Sequence, residues 1–231
     1  MKTLGIIGGF GPETTAKFYM SIVNKNRKIN KSHPNVLIHN VPVPFDLEND
    51  AVRHAKNLEK FLPLLLDSVK ILQDKADLIA LPCNTLHIFM DDISAASKKP
   101  IVSIIDETVE EVKKRKLKRV GILATSTTIN EGVFESMFLK NSVSVVKPSD
   151  QSQLRLSEII CNILQGKKSS GMRSILIAII NCMKAEGAEA IILACTDLQL
   201  LIKQTDTDLM LIDTMDVLAN SVVNEINQSR W

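Results

Sequence analysis

Along the chain, short apolar runs alternate with longer stretches in which apolar residues recur every three or four positions. The short runs are TLGIIGG, NVLIHNVPV, DLIALPC, IVSIID, RVGILAT, SVSVVKP, AIILACT and LMLID. They are rich in Ile, Val and Leu and do not alternate strictly with polar residues. That is the pattern of parallel strands covered on both faces. The longer stretches include ETTAKFYMSIVNKN, one continuous run from Val52 to Lys75, DETVEEVKKRK, LRLSEIICNILQG and RSILIAIINCMKAEG. Each predicts a helix, and Gly166 and Gly187 stand where two of them should stop. The alternation predicts an α/β fold with mainly parallel sheets.

The pattern also repeats. Gly5-Ile6 matches Gly121-Ile122, Cys83 at the end of DLIALPC matches Cys195 at the end of AIILAC, and Ile105-Asp106 matches Ile212-Asp213. Three points in the same order at nearly constant separation predict two similar α/β halves with a cleft between them. Loops at the carboxyl ends of parallel strands line such a crevice. Both cysteines fall there, each leading toward a helix whose N-terminus would favour a thiolate.

Composition narrows the class without changing the picture. The 231 residues are 45% hydrophobic and 23% charged, with a formal charge of +2, which fits a globular domain and gives no strong attraction to nucleic acid or membrane. The one basic run, Lys113 to Arg119, is read as a solvated helix end entering the next strand. The N-terminus is apolar only from Leu4 to Ile7, too short for a secretory core or a bilayer span, so a cytoplasmic protein is expected. The four cysteines include no C-x-x-C pair and suggest reduced thiols; Cys161 and Cys182, inside apolar helical patterns, are read as buried small hydrophobes.

Three motifs carry candidate chemistry. Gly9-Phe10-Gly11 follows a strand and precedes a helix, but Thr14 stands where a dinucleotide fingerprint needs its third glycine, and no acidic residue ends the next strand. A turn offering backbone N–H groups to a small carboxylate fits better, with a merely tight turn as the bland alternative. Cys83 and His87, with Cys195, could be imagined as metal ligands, yet the familiar zinc spacings are missing and no metal is expected; His87 is read as a supporting residue. A Cys-His-Asp hydrolase leaves the second cysteine unexplained. Two symmetric thiols suit moving a proton from one face of a carbon to the other, one as base and one as acid. Asn84, Thr85, Thr125, Thr128, Thr196 and the glycine turn could then hold the substrate's carboxylate and amino group and stabilise the carbanionic transition state.

At GIIGGFGPETTAKFY, LPCNTLH, ILATSTTINEGVF, ILACTDL and the later IDT, the chain resembles the aspartate/glutamate racemase family over essentially its whole length. The resemblance implies two α/β domains related by pseudo-twofold symmetry, with the C-terminal segment returning to the first: 1–100 plus 208–231, and 101–207. It implies catalytic cysteines at Cys83 and Cys195, no pyridoxal phosphate or other cofactor, a small amino-acid substrate and a homodimer. Cys-Thr-Asp at the second site resembles the aspartate and broad-specificity branches. Aspartate-specific members carry arginine in a Pro-Asp-Arg-Thr loop, where this chain reads Pro44-Phe45-Asp46-Leu47-Glu48, the nearest arginine being Arg53; they also carry a lysine that Lys167 does not clearly match. Aspartate, glutamate or a broader set of amino acids therefore stay open as substrate. Alternatives on the same scaffold are a cis–trans isomerase or decarboxylase of small diacids using one cysteine, and a non-catalytic carboxylate binder.

Overall fold

The computed structural model describes residues 1–228, apart from the side chains of Arg53 and His54. In chain order it forms β1 (Leu4–Gly8), α1 (Pro12–Ile29), β2 (Val36–Asn40), α2 (Phe45–His54), α3 (Phe61–Gln73), β3 (Leu78–Ala80), α4 (Met90–Ala96) and β4 (Ile101–Val102). There follow α5 (Ile104–Lys114), β5 (Arg119–Leu123), α6 (Ser126–Asn130), α7 (Glu135–Lys140), β6 (Ser144–Val146), α8 (Asp150–Leu164), α9 (Ser170–Ala185), β7 (Ala190–Leu193), β8 (Met210–Asp213) and α10 (Thr214–Asn227). Two four-stranded sheets result, with strand orders β2-β1-β3-β4 and β6-β5-β7-β8. The assigned pairings are parallel throughout.

Alternate strand residues go to opposite faces, and here both faces are covered. Leu4, Ile6, Leu78 and Ala80 of the first sheet, and Val120, Ile122, Ala190 and Ile192 of the second, share one apolar cluster with α1, α5 and α10. Those helices are sandwiched between the sheets. The outer face of the first sheet packs on α3 and α4 through Ile7 and Ile79, and that of the second on α8 and α9 through Leu123, Ile191 and Leu193. Gly5 and Gly121 occupy equivalent outer-face positions: a Cβ on Gly5 would lie 3.0 Å from Ala76 Cβ, and one on Gly121 2.6 Å from Ile191 Cδ1 and 3.1 Å from Met183 of α9.

The repeat holds at two of its three points and shifts at the third. Gly5 pairs with Ile79 as Gly121 pairs with Ile191, which aligns Cys83 with Cys195. Ile79 then pairs with Ile101, and Ile191 with Leu211. The true counterparts are therefore Ile101 and Leu211, not Ile105 and Ile212. The reason lies in the caps. Ser103 caps α5 by accepting the Asp106 N–H, which ends the run IVSIID as a strand after Val102, and Asp213 caps α10 in the same way.

Two further expectations are corrected. The helix expected from Val52 to Lys75 is broken: Ala55 and Asn57 are left-handed (φ 50° and 57°), and α3 begins at Phe61. Pro63 within an uninterrupted helix would clash with the Glu59 carbonyl, whereas in the first turn of α3 it is tolerated. β8 pairs with β7 in the second sheet, and α10 packs on α1 and α5. Cys182 is exposed, while Cys161 is buried as expected. Lys113 and Lys114 do close α5 as a solvated helix end. No helix of the described residues is long and apolar enough to cross a membrane.

Candidate active site

In each sheet the chain leaves the two central strands toward opposite edges, so the loops after β1 and β3, and after β5 and β7, part and leave a crevice. The two crevices meet. Phe10, Cys83, Asn84 and Thr85 from the first half and Thr125, Cys195, Thr196 and Asp197 from the second line one cavity of about 60 Å³. Helix α2 closes it. This helix follows β2 of the first half yet packs on α6 and α8 of the second, and the Thr127 hydroxyl donates to the Ala51 carbonyl. Glu48, Ala51 and Val52 of α2 thereby join the lining, with apolar walls from Phe61, Ile160 and Leu164.

The two thiols sit in matching surroundings. The Cys83 sulfur faces the N–H groups of Thr85 and Leu86, and the Cys195 sulfur those of Asp197 and Leu198. In both cases the donors are two and three residues downstream, at the start of a 3₁₀ segment: Thr85–Phe89, which runs on into α4, and the single turn Leu198–Leu200. Burial outweighs these N–H groups. It pushes Cys83 up to about 12, with help from the charge on Asp197. Cys195 is raised well above its ordinary value, first by burial, then by Asp197 and by Cys83 itself. Its S–H donates to Asp197 Oδ2 at 3.9 Å. Asp197, itself raised by burial, accepts the Thr14 hydroxyl.

The polar groups around the thiols are largely tied to one another. Asn84 is 2% exposed; its Nδ2 donates to Thr214 Oγ1 at 3.0 Å, and that hydroxyl donates to the Leu193 carbonyl. Asn84 Oδ1 is left buried without a hydrogen-bond partner, a position that a ligand N–H would relieve. Thr85, Thr125 and Thr128 form a triangle of hydroxyls, each 3.0 Å from the other two, that spans the two halves. Thr125 also caps α6 by accepting the Thr128 N–H. Thr128 thus supports the lining from behind.

The glycine turn behaves differently from expectation. Gly9 and Gly11 both have positive φ (96° and 84°), and a Cβ on Gly9 would lie 2.3 Å from the Val41 carbonyl oxygen. The Gly9 N–H, however, is taken by Thr15 Oγ1 at 3.1 Å, and the Gly11 N–H faces the Glu48 carboxylate. The turn does hold a carboxylate, but it is the protein's own. Phe10 projects into the cavity lining, 5.9 Å from Phe61 between ring centres.

His87 lies behind Cys83. Its Nε2 accepts the Ile104 N–H at 3.2 Å, so Nδ1 carries the proton and donates to the Cys83 carbonyl at 2.8 Å. Burial lowers this histidine to about 4, keeping it neutral. It ties the Cys83 turn to α5. Lys167 donates to Gln165; its neighbour Lys168 pairs with Glu13 at 3.5 Å and, like Lys17, acts on Asp197 from outside the lining. The Arg53 side chain lies outside the described residues. Four participants lie within the sequence motifs without being candidate site residues there: Thr14 in the turn after β1, Asp197 two residues after Cys195, Thr214 in the IDT segment, and Glu48 in a loop that lacks arginine.

Two parallel α/β halves with a thiol from each in one cavity define a class: small two-domain enzymes whose site lies between matching halves. The sequence pattern of the Asp/Glu/hydantoin racemase family matches residues 7–222, and the chain belongs to that family. It is 26% identical to the broad-specificity amino-acid racemase RacX of Bacillus subtilis (strain 168), over 96% of each chain. Among solved structures, an aspartate racemase homologue from Pyrococcus horikoshii OT3 superimposes with a TM-score of 0.81 at 28% identity, covering 99% of this chain and 100% of the other. Aspartate racemase from Picrophilus torridus has the same fold, with a TM-score of 0.84 at 23% identity over 100% and 96% of the two chains.

Proposed function

We propose that the protein is a cofactor-independent racemase or epimerase of free amino acids, with Cys83 and Cys195 as its acid/base pair. The observation that carries this reading is the matched placement of the two thiols on one cavity, each against N–H groups two and three residues downstream. One sulfur, as thiolate, takes the Cα proton. The electron pair left on Cα spreads into the α-carboxylate, and the other thiol delivers its proton to the opposite face. The first cysteine then holds a thiol and the second a thiolate, and the reverse reaction exchanges their roles.

The remaining groups fit that task. Donors must strengthen on the carboxylate as charge builds there, and the hydroxyls of Thr85 and Thr125 can turn from their triangle toward it. Asn84 Oδ1 can accept from the α-ammonium. That ammonium also supplies the positive charge that a buried thiolate needs, since burial favours the protonated form of both thiols. Asp197 holds the Cys195 S–H and can receive its proton when the thiolate forms.

Chiral chromatography of amino acids incubated with Cys83→Ser and Cys195→Ser tests the pairing. Each variant is expected to lose racemisation by about a hundredfold or more, as removal of a general acid or base does. A variant retaining full activity would exclude the two-base account. Loss on one cysteine alone would favour a single-thiol isomerase or decarboxylase instead.

A further inference from the structure

The two acidic residues in the lining have no role in the proton transfer itself that accounts for both. Asp197 is engaged by the Thr14 hydroxyl and the Cys195 thiol. Glu48 is not so engaged. It rises from the first turn of α2 into the cavity wall, half-buried, facing the Gly11 N–H. Its nearby walls, Ala51, Val52 and Phe61, are apolar. Among the described residues lining the cavity there is no lysine, arginine or histidine. Two described cations, Lys17 and Lys168, act on Asp197 from outside the lining. An acidic side chain entering this space would meet two carboxylates without a described cation to answer it, and like charges disfavour such binding.

Resting on the racemase reading, we infer that Glu48 sets substrate choice, selecting an amino acid whose side chain has an apolar stem and ends in an amine or guanidinium. The stem would run along the α2 and Phe61 wall and the cationic end would pair with Glu48. Burial and the charge on Asp197 both raise Glu48 above its ordinary value, so a cation beside it stabilises its ionised form. Binding of such a substrate therefore strengthens as pH rises through the Glu48 titration. An alternative use of Glu48, holding the α-ammonium common to all amino acids, makes a different prediction and can be separated from this one.

The experiment compares L-lysine, L-ornithine and L-arginine with L-norleucine, an uncharged analogue of lysine, and with L-glutamate. Cα–H exchange in D₂O gives kcat/KM, and calorimetry gives Kd, for the wild type, Glu48→Gln and Glu48→Asp. A second probe is Arg53→Gln, because that arginine neighbours α2's cavity face in sequence. The wild type is expected to prefer lysine over norleucine by at least about tenfold, the scale of one charge-assisted hydrogen bond. Glu48→Gln should bring that ratio close to one, and Glu48→Asp should keep part of it. Arg53→Gln should leave the preference for cations in place. Faster exchange or tighter binding of glutamate than of lysine would overturn the inference, as would a Glu48→Gln variant that weakens lysine and norleucine equally. Selective lysine binding with no exchange would support the specificity while contradicting the racemase reading. Exchange confined to acidic or neutral amino acids would do the reverse.

Discussion

At the scale of single residues, the proposed chemistry turns on thiols that resist ionisation. A Cys83 pushed up to about 12 holds almost no thiolate at neutral pH, so kcat/KM should climb with pH from 7 to 9, until the substrate's own ammonium titrates. A flat profile would contradict the raised thiols. The same shift predicts an effect on stability. Below about pH 9, folded and unfolded chains both keep the Cys83 proton; between 9.0 and about 12 the unfolded chain loses it first. Stability therefore falls as pH rises there, by up to about 1.4 kcal/mol per pH unit for such a thiol. Urea midpoints at pH 8 and 10 should drop less for Cys83→Ala than for the wild type. His87 works in the opposite range. Lowered from 6.5 to about 4, it contributes stability above 6.5 that disappears as pH falls through 4, and His87→Asn should flatten that acid limb. The cysteines were legible in the sequence because each stands at the end of an apolar run and the run occurs twice. The roles of Glu48, Thr14 and Thr214 were not, because they depend on partners far away in the chain: Thr14 meets Asp197 and Thr214 meets Asn84 only after the halves close.

Among elements, α2 and the glycine turn matter most to the site. Strand runs and most helices could be read from apolar spacing alone, since packing on both faces of a parallel sheet leaves a continuous apolar signature. The break at Ala55–Asn57 could not. The apolar spacing continues from Val52 to Lys75, and the interruption lies in the left-handed backbone and in the placing of Pro63. That break frees α2 from α3 and lets it lie across α6 and α8. Glu48, Ala51 and Val52 of α2 line the cavity, so a bound substrate would hold this helix in place. Hydrogen exchange should show the amides of residues 45–54 becoming slower when substrate is bound; equal protection with and without it would place the substrate's contacts elsewhere. The turn after β1 is rigid by contrast. A Cβ at Gly9 would come within 2.3 Å of the Val41 carbonyl, on a backbone with φ of 96°. Gly9→Ala should cost about 3 kcal/mol or more in a urea titration. Gly121→Ala, whose nearest neighbour is the flexible end of Ile191, should cost less.

For the whole molecule, the two halves are joined by a shared core rather than merely apposed. The inner faces of both sheets pack on α1, α5 and α10, and Leu218 of α10 lies fully buried in that cluster. Leu218→Ala is expected to cost about 3 kcal/mol and to lower one cooperative transition; two separate transitions would show that the halves fold independently. The internal repeat announced two halves, but their counterparts at β4 and β8 were misjudged by a few residues, because Ser103 ends its strand early and apolar residues continue into α5. The symmetry matters because it brings equivalent cysteines to one substrate carbon. That claim is tested most directly by racemisation in D₂O, with each enantiomer followed at early times by mass spectrometry after chiral separation. Two distinct acid/base thiols predict that the newly formed enantiomer carries deuterium at Cα while the remaining starting enantiomer carries almost none. Deuterium accumulating first in the starting enantiomer, or product formed with its original proton, would mean that a single group serves both faces and would contradict the account.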